Sequence, residues 1–225
     1  MNKVIIGWLH PGEVAARFCS SLFNALAADH DRNIRGHIPL LGSANLSTPR
    51  NHVVRTFLET DATHLWFIDS DMTFPADTLP RLLEVDAPFV SGLCFGQRYE
   101  PDGQLSYFTT MFRITDQIER VEDYPEDEVI DVDLVGAACL LVKREVFETL
   151  ADRYPEPWPW FAEELTEQDG QVGYHSEDIT FSFRARHAGF PVKVHTGVKL
   201  GHIKAHEVTE ENYKAWRTNT HRLQN

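Results

Sequence analysis

Cysteine is scarce in this chain, with three among 225 residues. Cys19, Cys94 and Cys139 are odd in number, far apart, set in apolar surroundings, and form no C-x-x-C pair. That pattern argues against a disulfide framework or a cysteine zinc cluster, and for free buried thiols in a reducing compartment. Long apolar runs are missing too, and none approaches the roughly 18 residues of a membrane-spanning helix. The apolar stretch in MNKVIIGWLHPGE is too short for a signal peptide and ends at His10-Pro11 without a small-residue cleavage site. The expectation is a protein without a membrane span that works in the cytoplasm. Positive charge is also short: 21 Lys and Arg face 34 Asp and Glu, for a net charge of -13. This argues against gripping nucleic acid by general electrostatics, while leaving room for a small basic groove. Acidity is densest in Asp116 to Asp133, DQIERVEDYPEDEVIDVD. Such a run reads as a solvated loop and strand edge in preference to a cation site. Repeats, low-complexity tracts and linkers are absent, so residues 1–225 read as one domain.

What is present is a large potential core, since 42% of residues are hydrophobic. Lys3 to Gly7 reads as a buried strand, followed by a loop Trp8-Leu9-His10-Pro11-Gly12. Glu13 to Ala28 then carries Val14, Phe18, Leu22, Phe23 and Leu26 near helical spacing. Ile34 to Leu41 reads as a second strand. After the loop from Leu41 to Pro49, Ser47 or Thr48 can cap a helix bearing Val53, Val54, Phe57 and Leu58 on one face. Arg50 stands near the start of that helix, where the macrodipole disfavours a cation. It points to an anionic partner, the plain alternative being a surface arginine.

His64 to Asp69 reads as a central strand, because Leu65, Trp66, Phe67 and Ile68 form a short apolar run bounded by polar residues. Leu79, Leu82 and Leu83 mark a helix of about three turns. Ala87 to Phe95, Leu105 to Ile114 and Val129 to Val142 read as further strands, the last with Gly136-Ala137-Ala138 inside it. Small residues in a strand mark close approach of a ligand, or tight packing. Arg144 to Ala151 reads as a short helix. Tyr154 to Phe161, YPEPWPWF, is too rich in proline for regular structure. Its tryptophans suit either stacking on a flat ligand or pinning the loop to the core. Ser176-Glu177-Asp178 opens a helix that ends at Gly189. Pro191 to His195 and Gly197 to Ile203 are short strands, and the tail from Thr209 reads as an amphipathic helix or a frayed end. Strands and helices alternate early and strands prevail later. This predicts an α/β fold with a mostly parallel, mixed central sheet flanked by helices.

The chemistry concentrates at Asp69-Ser70-Asp71. Ligands of open α/β sheets bind at the carboxyl ends of the strands, where these carboxylates stand. Close together and poorly screened, each raises the other's pKa unless a cation intervenes. A hard divalent ion such as Mg²⁺ or Mn²⁺ would relieve this and keep positions open for substrate phosphates. The plain alternative is an Asx-turn or a helix cap. Glu177 and Asp178 at a helix start can be mere capping, and His202 can be structural. Together the three have the makings of a metal site with a separate carboxylate base.

The segments STPRNHVV, HLWFIDSDMTFPADTLPRLL, VDLVGAACLLVKREVFE, YHSEDITFSFRARHAGFPVKV and GHIKAH resemble the metal-dependent glycosyltransferases of the GT-A fold. The likeness is closest to small phage and bacterial members of the family-2-like group, and it extends from Lys3 to about His206. It implies a Rossmann-like nucleotide-diphospho-sugar transferase fold. The implied activity moves a hexose or pentose from a nucleotide-sugar donor to an acceptor hydroxyl, with inversion. Acceptors in such a group include polysaccharides and hydroxymethylated phage DNA bases, so the implied setting is a bacterial or phage-infected cell. The resemblance implies that Asp69 contacts the ribose or a metal-bound water, and that Asp71 and His202 ligate Mn²⁺ or Mg²⁺. It makes Asp178, or else Glu177, the base. Trp8, His10 and Pro11 would hold the nucleotide base, Arg50 and Ser70 would lie along the nucleotide, and Gly136 and Ala137 would admit the donor sugar. One departure is the first loop, which lacks an obvious acidic base-binding residue unless Glu13 serves. Two other readings are a nucleotidyltransferase that makes sugar nucleotides and a non-catalytic carbohydrate-binding module. Against the first, the loop after strand one holds no Lys or Arg before Arg17. Against the second, a spare carboxylate pair at a helix start has no task there.

Overall fold

The computed structural model describes residues 2–42, 45–168 and 171–205, with Glu210 and Lys214. The first elements are β1 (Val4–His10), α1 (Ala16–Ala28), β2 (Ile34–Leu41), α2 (Ser47–Leu58), β3 (His64–Ile68), β4 (Met72–Thr73) and α3 (Thr78–Glu84). Next come β5 (Phe89–Leu93), β6 (Phe95–Tyr99), β7 (Leu105–Thr109), β8 (Met111–Ile114), β9 (Ile118–Arg120), β10 (Val129–Val132), β11 (Leu134–Val135), β12 (Cys139–Lys143) and α4 (Arg144–Arg153). The last are β13 (Glu164–Gln168), β14 (Gln171–His175), α5 (Glu177–His187), β15 (Val192–Lys199) and β16 (Gly201–His202). His206 and the tail from Thr209, apart from the two residues named, lie outside the described residues, as do Ser43 and Ala44.

Seven strands form the main sheet in the order β10-β15-β5-β12-β3-β1-β2. β2, β1, β3, β5 and β15 run one way, while β12 and β10 oppose them. The parallel part follows from the crossovers through α1 and α2, since a parallel neighbour needs such a connection. All five residues of β3 are buried. Its side chains alternate between two cores, as a period of two requires. Leu65 and Phe67 join Ile5, Val53, Phe57, Phe147, Phe161 and Phe181 beneath α2, α4 and α5. Trp66 and Ile68 join Ile6, Phe18, Leu79, Leu82 and Leu141 beneath α1 and α3. The sheet is thus covered on both faces, which explains its near-continuous apolar strands.

Several boundaries differ from those expected. β1 continues through Trp8 and His10 because these residues pair with Pro39 and Leu41 of β2. α1 begins at Ala16 and not at Glu13. Asn45, whose side chain accepts the Thr48 N–H at 3.2 Å, supports the start of α2 in place of Ser47 or Thr48. α3 has seven residues, about two turns. The expected strand over 105–114 divides between β7 and β8, around Thr110. The expected strand over 129–142 divides into β10, β11 and β12, and Gly136-Ala137-Ala138 forms the turn between the last two. The hairpin of β13 and β14 was not expected. In the proline-aromatic segment Trp160 is buried and its indole N–H donates to the Phe147 carbonyl at 2.8 Å, whereas Trp158 is 40% exposed.

Candidate active site

The carboxyl ends of β1, β2 and β3 open into a cleft of about 460 Å³ lined by Leu9, His10, Pro11, Gly42, Leu46, Asp69, Ser70 and Asp71. The fold places it where crossovers leave the strand ends uncovered. His10 is braced by the Gly12 N–H, which donates to its Nδ1 at 3.2 Å. Trp8 lies two residues back, stacked on His37 at 11° and packed beside Phe18.

Asp69 and Asp71 flank one serine yet have different partners. Asp69 leaves β3 with its backbone N–H bonded to the Ala138 carbonyl at 3.1 Å. Its carboxylate accepts from Arg50 Nη2 at 3.2 and 3.3 Å. Burial raises the Asp69 pKa and the nearby Asp71 adds to the rise, while Arg50 opposes it. Asp71 Oδ2 meets His202 Nε2 at 2.8 Å and Lys204 Nζ at 3.3 Å. Burial would raise this carboxyl, but His202 and Lys204 together outweigh it and hold the pKa below its ordinary value. The pairing of β16 with β4 delivers His202, setting it opposite Met72.

The far side of the His202 ring, Nδ1, lies 2.9 Å from the Phe95 carbonyl. A carbonyl and a carboxylate both accept, so this geometry favours the doubly protonated imidazole. Its pKa is raised, first by the bond to Asp71. If the Nε2 proton leaves, the Phe95 carbonyl still holds Nδ1–H and the Nε2 lone pair faces Asp71. That is how a backbone carbonyl orients a metal-ligating histidine. Asp71 and His202 are the two side chains here that could serve as ligands to a hard divalent cation. Among the described residues no group of three or more His, Cys, Asp or Glu is placed to hold a metal. Asp69 is directed to Arg50.

Glu177 and Asp178 open α5, where backbone N–H groups and the helix dipole favour carboxylates. Glu177 Oε1 pairs with Arg50 Nη1, and burial raises its pKa despite that partner. Asp178 Oδ1 accepts from Ser176 Oγ and from the Ile179 N–H, the latter at 2.8 Å. Asp178 Oδ2 faces Gly136, where an added Cβ would come within 3.4 Å of it and within 3.2 Å of Thr110 Cβ. Glycine keeps that space open. Ala137 follows in the same turn.

His10, Pro11, Ser70, Asp69 and Asp71 thus share the cleft, with His202 reached through Asp71 and Glu177 through Arg50. Lys204, Phe95 and Thr110 also stand at the site, beyond the residues expected from the sequence. Lys204 carried a usable signal, since it stands two residues after His202 in an extended segment and so on the same side. The roles of the Phe95 carbonyl and Thr110 depend on strand pairing and left no local trace.

No family model matches the chain, and no curated protein does. Solved structures do match it. The crystal structure of A197 from STIV is similar with a TM-score of 0.55 and 16% identity, over 90% of this chain and 86% of that one. The crystal structure of GalNAc-T7 with UDP, GalNAc and Mn²⁺ is similar with a TM-score of 0.60 and 11% identity, over 91% of this chain. This chain spans 44% of that one. At these identities the likeness concerns the fold, which is the α/β GT-A fold expected from the sequence. No helix among the described residues is long and apolar enough to cross a membrane.

Proposed function

We propose that this protein is a glycosyltransferase that moves a sugar from a nucleotide-sugar donor to an acceptor hydroxyl, assisted by Mn²⁺ or Mg²⁺. The observation that carries the reading is Asp178. It is a carboxylate at a helix start with one oxygen held by Ser176 and Ile179 and the other turned to the space over Gly136. That oxygen, which has no hydrogen-bond partner among the described residues, suits removal of an acceptor proton. Glu177 beside it is occupied by Arg50 and is the poorer base. A base opposite the leaving nucleotide gives a product of inverted anomeric configuration.

His10, Pro11, Ser70 and Asp69 line the cleft, which would take the nucleotide, with Asp69 meeting the ribose. Asp71 and His202 would hold the divalent ion, which when bound offsets charge on the leaving diphosphate. Lys204, 3.3 Å from Asp71, adds a positive group at the same place. GalNAc-T7, whose structure holds UDP and Mn²⁺, supports this choice of donor and ion.

The test is incubation with Mn²⁺ and a panel of sugar nucleotides and acceptors. Release of nucleoside diphosphate supports transfer. Pyrophosphate made from a sugar phosphate and a nucleoside triphosphate would instead mark a nucleotidyltransferase. Asp178→Asn should keep the fold and donor binding yet lose transfer by about 10²- to 10⁴-fold, the usual contribution of a general base. Near-normal turnover in that variant would remove Asp178 from the role.

A further inference from the structure

We propose that Arg50 is a positioning residue whose guanidinium ties Asp69, on the donor side of the cleft, to the start of α5 and so fixes where Asp178 stands. The proposal rests on the glycosyl-transfer reading, since it concerns the geometry of that reaction. The sequence suggested an anionic partner for Arg50, and the chain itself supplies two. One edge of the guanidinium reaches Asp69, 19 residues on, and the other reaches Glu177, 127 residues on. The side chain is only 4% exposed, and the guanidinium carbon lies 5.7 Å from the centre of the Phe161 ring. Enclosed in this way, it is closed to a phosphate.

Among the described residues its buried Nε has no hydrogen-bond partner. Buried ion pairs add little stability over apolar packing of equal volume. What a planar guanidinium adds is direction, because its donors lie in one fixed fork. Two carboxylates bonded to one fork cannot move independently. Asp69 follows β3, and Glu177 immediately precedes Asp178. The strand that carries the donor-side carboxylates and the helix that carries the base are therefore held in one register by a single side chain. Lysine keeps the charge but loses the fork.

Three variants test this: Arg50→Lys, Arg50→Met and the double Arg50→Met/Glu177→Gln. They are assayed by thermal unfolding, by calorimetry with Mn²⁺ and the better bound of UDP and GDP, and by steady-state transfer. Arg50→Lys should bind the nucleotide within about threefold of wild type, while kcat falls about 10²-fold, as a misplacement near 1 Å can cause. Arg50→Met should lower Tm, and adding Glu177→Gln should recover part of that loss by relieving the uncompensated carboxylate. Nucleotide affinity that falls as far as kcat in folded Arg50→Lys would make Arg50 a ligand contact and overturn the proposal. Wild-type turnover in Arg50→Lys would overturn it too, as would a double variant with no recovery of Tm. If the wild type transfers no sugar and binds neither nucleotide, the glycosyl-transfer reading fails, and the Tm comparison alone decides whether Arg50 couples the two carboxylates.

Discussion

Asp69 and Asp71 show how far neighbours can diverge. Two carboxylates after a buried strand are a local pattern, legible in the sequence. That Arg50 takes the first and His202 the second is not, because those contacts span 19 and 131 residues. The assignment of Arg50 changed most, from a contact for an external anion to a partner of internal ones. His64, at the opposite end of β3, gives a prediction free of any ligand. It is 8% exposed, and burial first, then Lys143, holds its pKa down to about 4. The unfolded chain takes up this proton near pH 6.5, before the folded one does. The contribution of His64 is therefore whole above about 6.5 and is lost as pH falls toward 4. At ~1.4 kcal/mol per pH unit the loss reaches roughly 3 kcal/mol. Urea unfolding at pH 7 and pH 4.5 should show His64→Gln losing less stability than wild type across that interval. Equal losses would contradict the assignment.

Elements were legible where one periodicity ran unbroken. β2 matches its expected bounds, and β3 and α5 lie within a residue or two of theirs, because apolar runs and end signals agree there. Gly189, at φ +95°, ends α5 in a conformation that favours glycine. The stretch from 105 to 142 breaks where apolar periodicity gives no sign: its strands turn at Thr110 and at Gly136-Ala137 to build small side sheets, β7 pairing with β6 just before it and β8 with β11 about 22 residues on. α2 matters most for the site because it carries Arg50, and its far end is secured by Arg144. That side chain donates to the carbonyls of Phe57, Leu58, Thr60 and Ala62 at 2.6 to 3.3 Å. A helix leaves its last carbonyls unpaired, and a cation there also suits the dipole. Arg144→Ala should cost about 1–3 kcal/mol in chemical denaturation, the range for leaving such acceptors unmatched. A change below about 0.5 kcal/mol, normal for surface positions, would show that water replaces Arg144 without loss.

For the whole molecule, alternating strands and helices were enough to expect a mixed sheet covered on both faces, and the cleft lies where such sheets bind ligands. Less legible was how distant segments reach the two cleft carboxylates: α2 through Arg50 to Asp69, α5 through Glu177 to Arg50, and β16 through His202 to Asp71. In the proposed reaction the donor's diphosphate would lie on the Asp71 side and the acceptor on the Asp178 side, with Arg50 between them. Calorimetry of UDP and GDP binding, with and without Mn²⁺, in wild type and in folded Asp71→Ala tests this most directly. The account predicts saturable binding to wild type that requires Mn²⁺ and is lost in Asp71→Ala. Binding that is indifferent to Mn²⁺, or unchanged in Asp71→Ala, would contradict it.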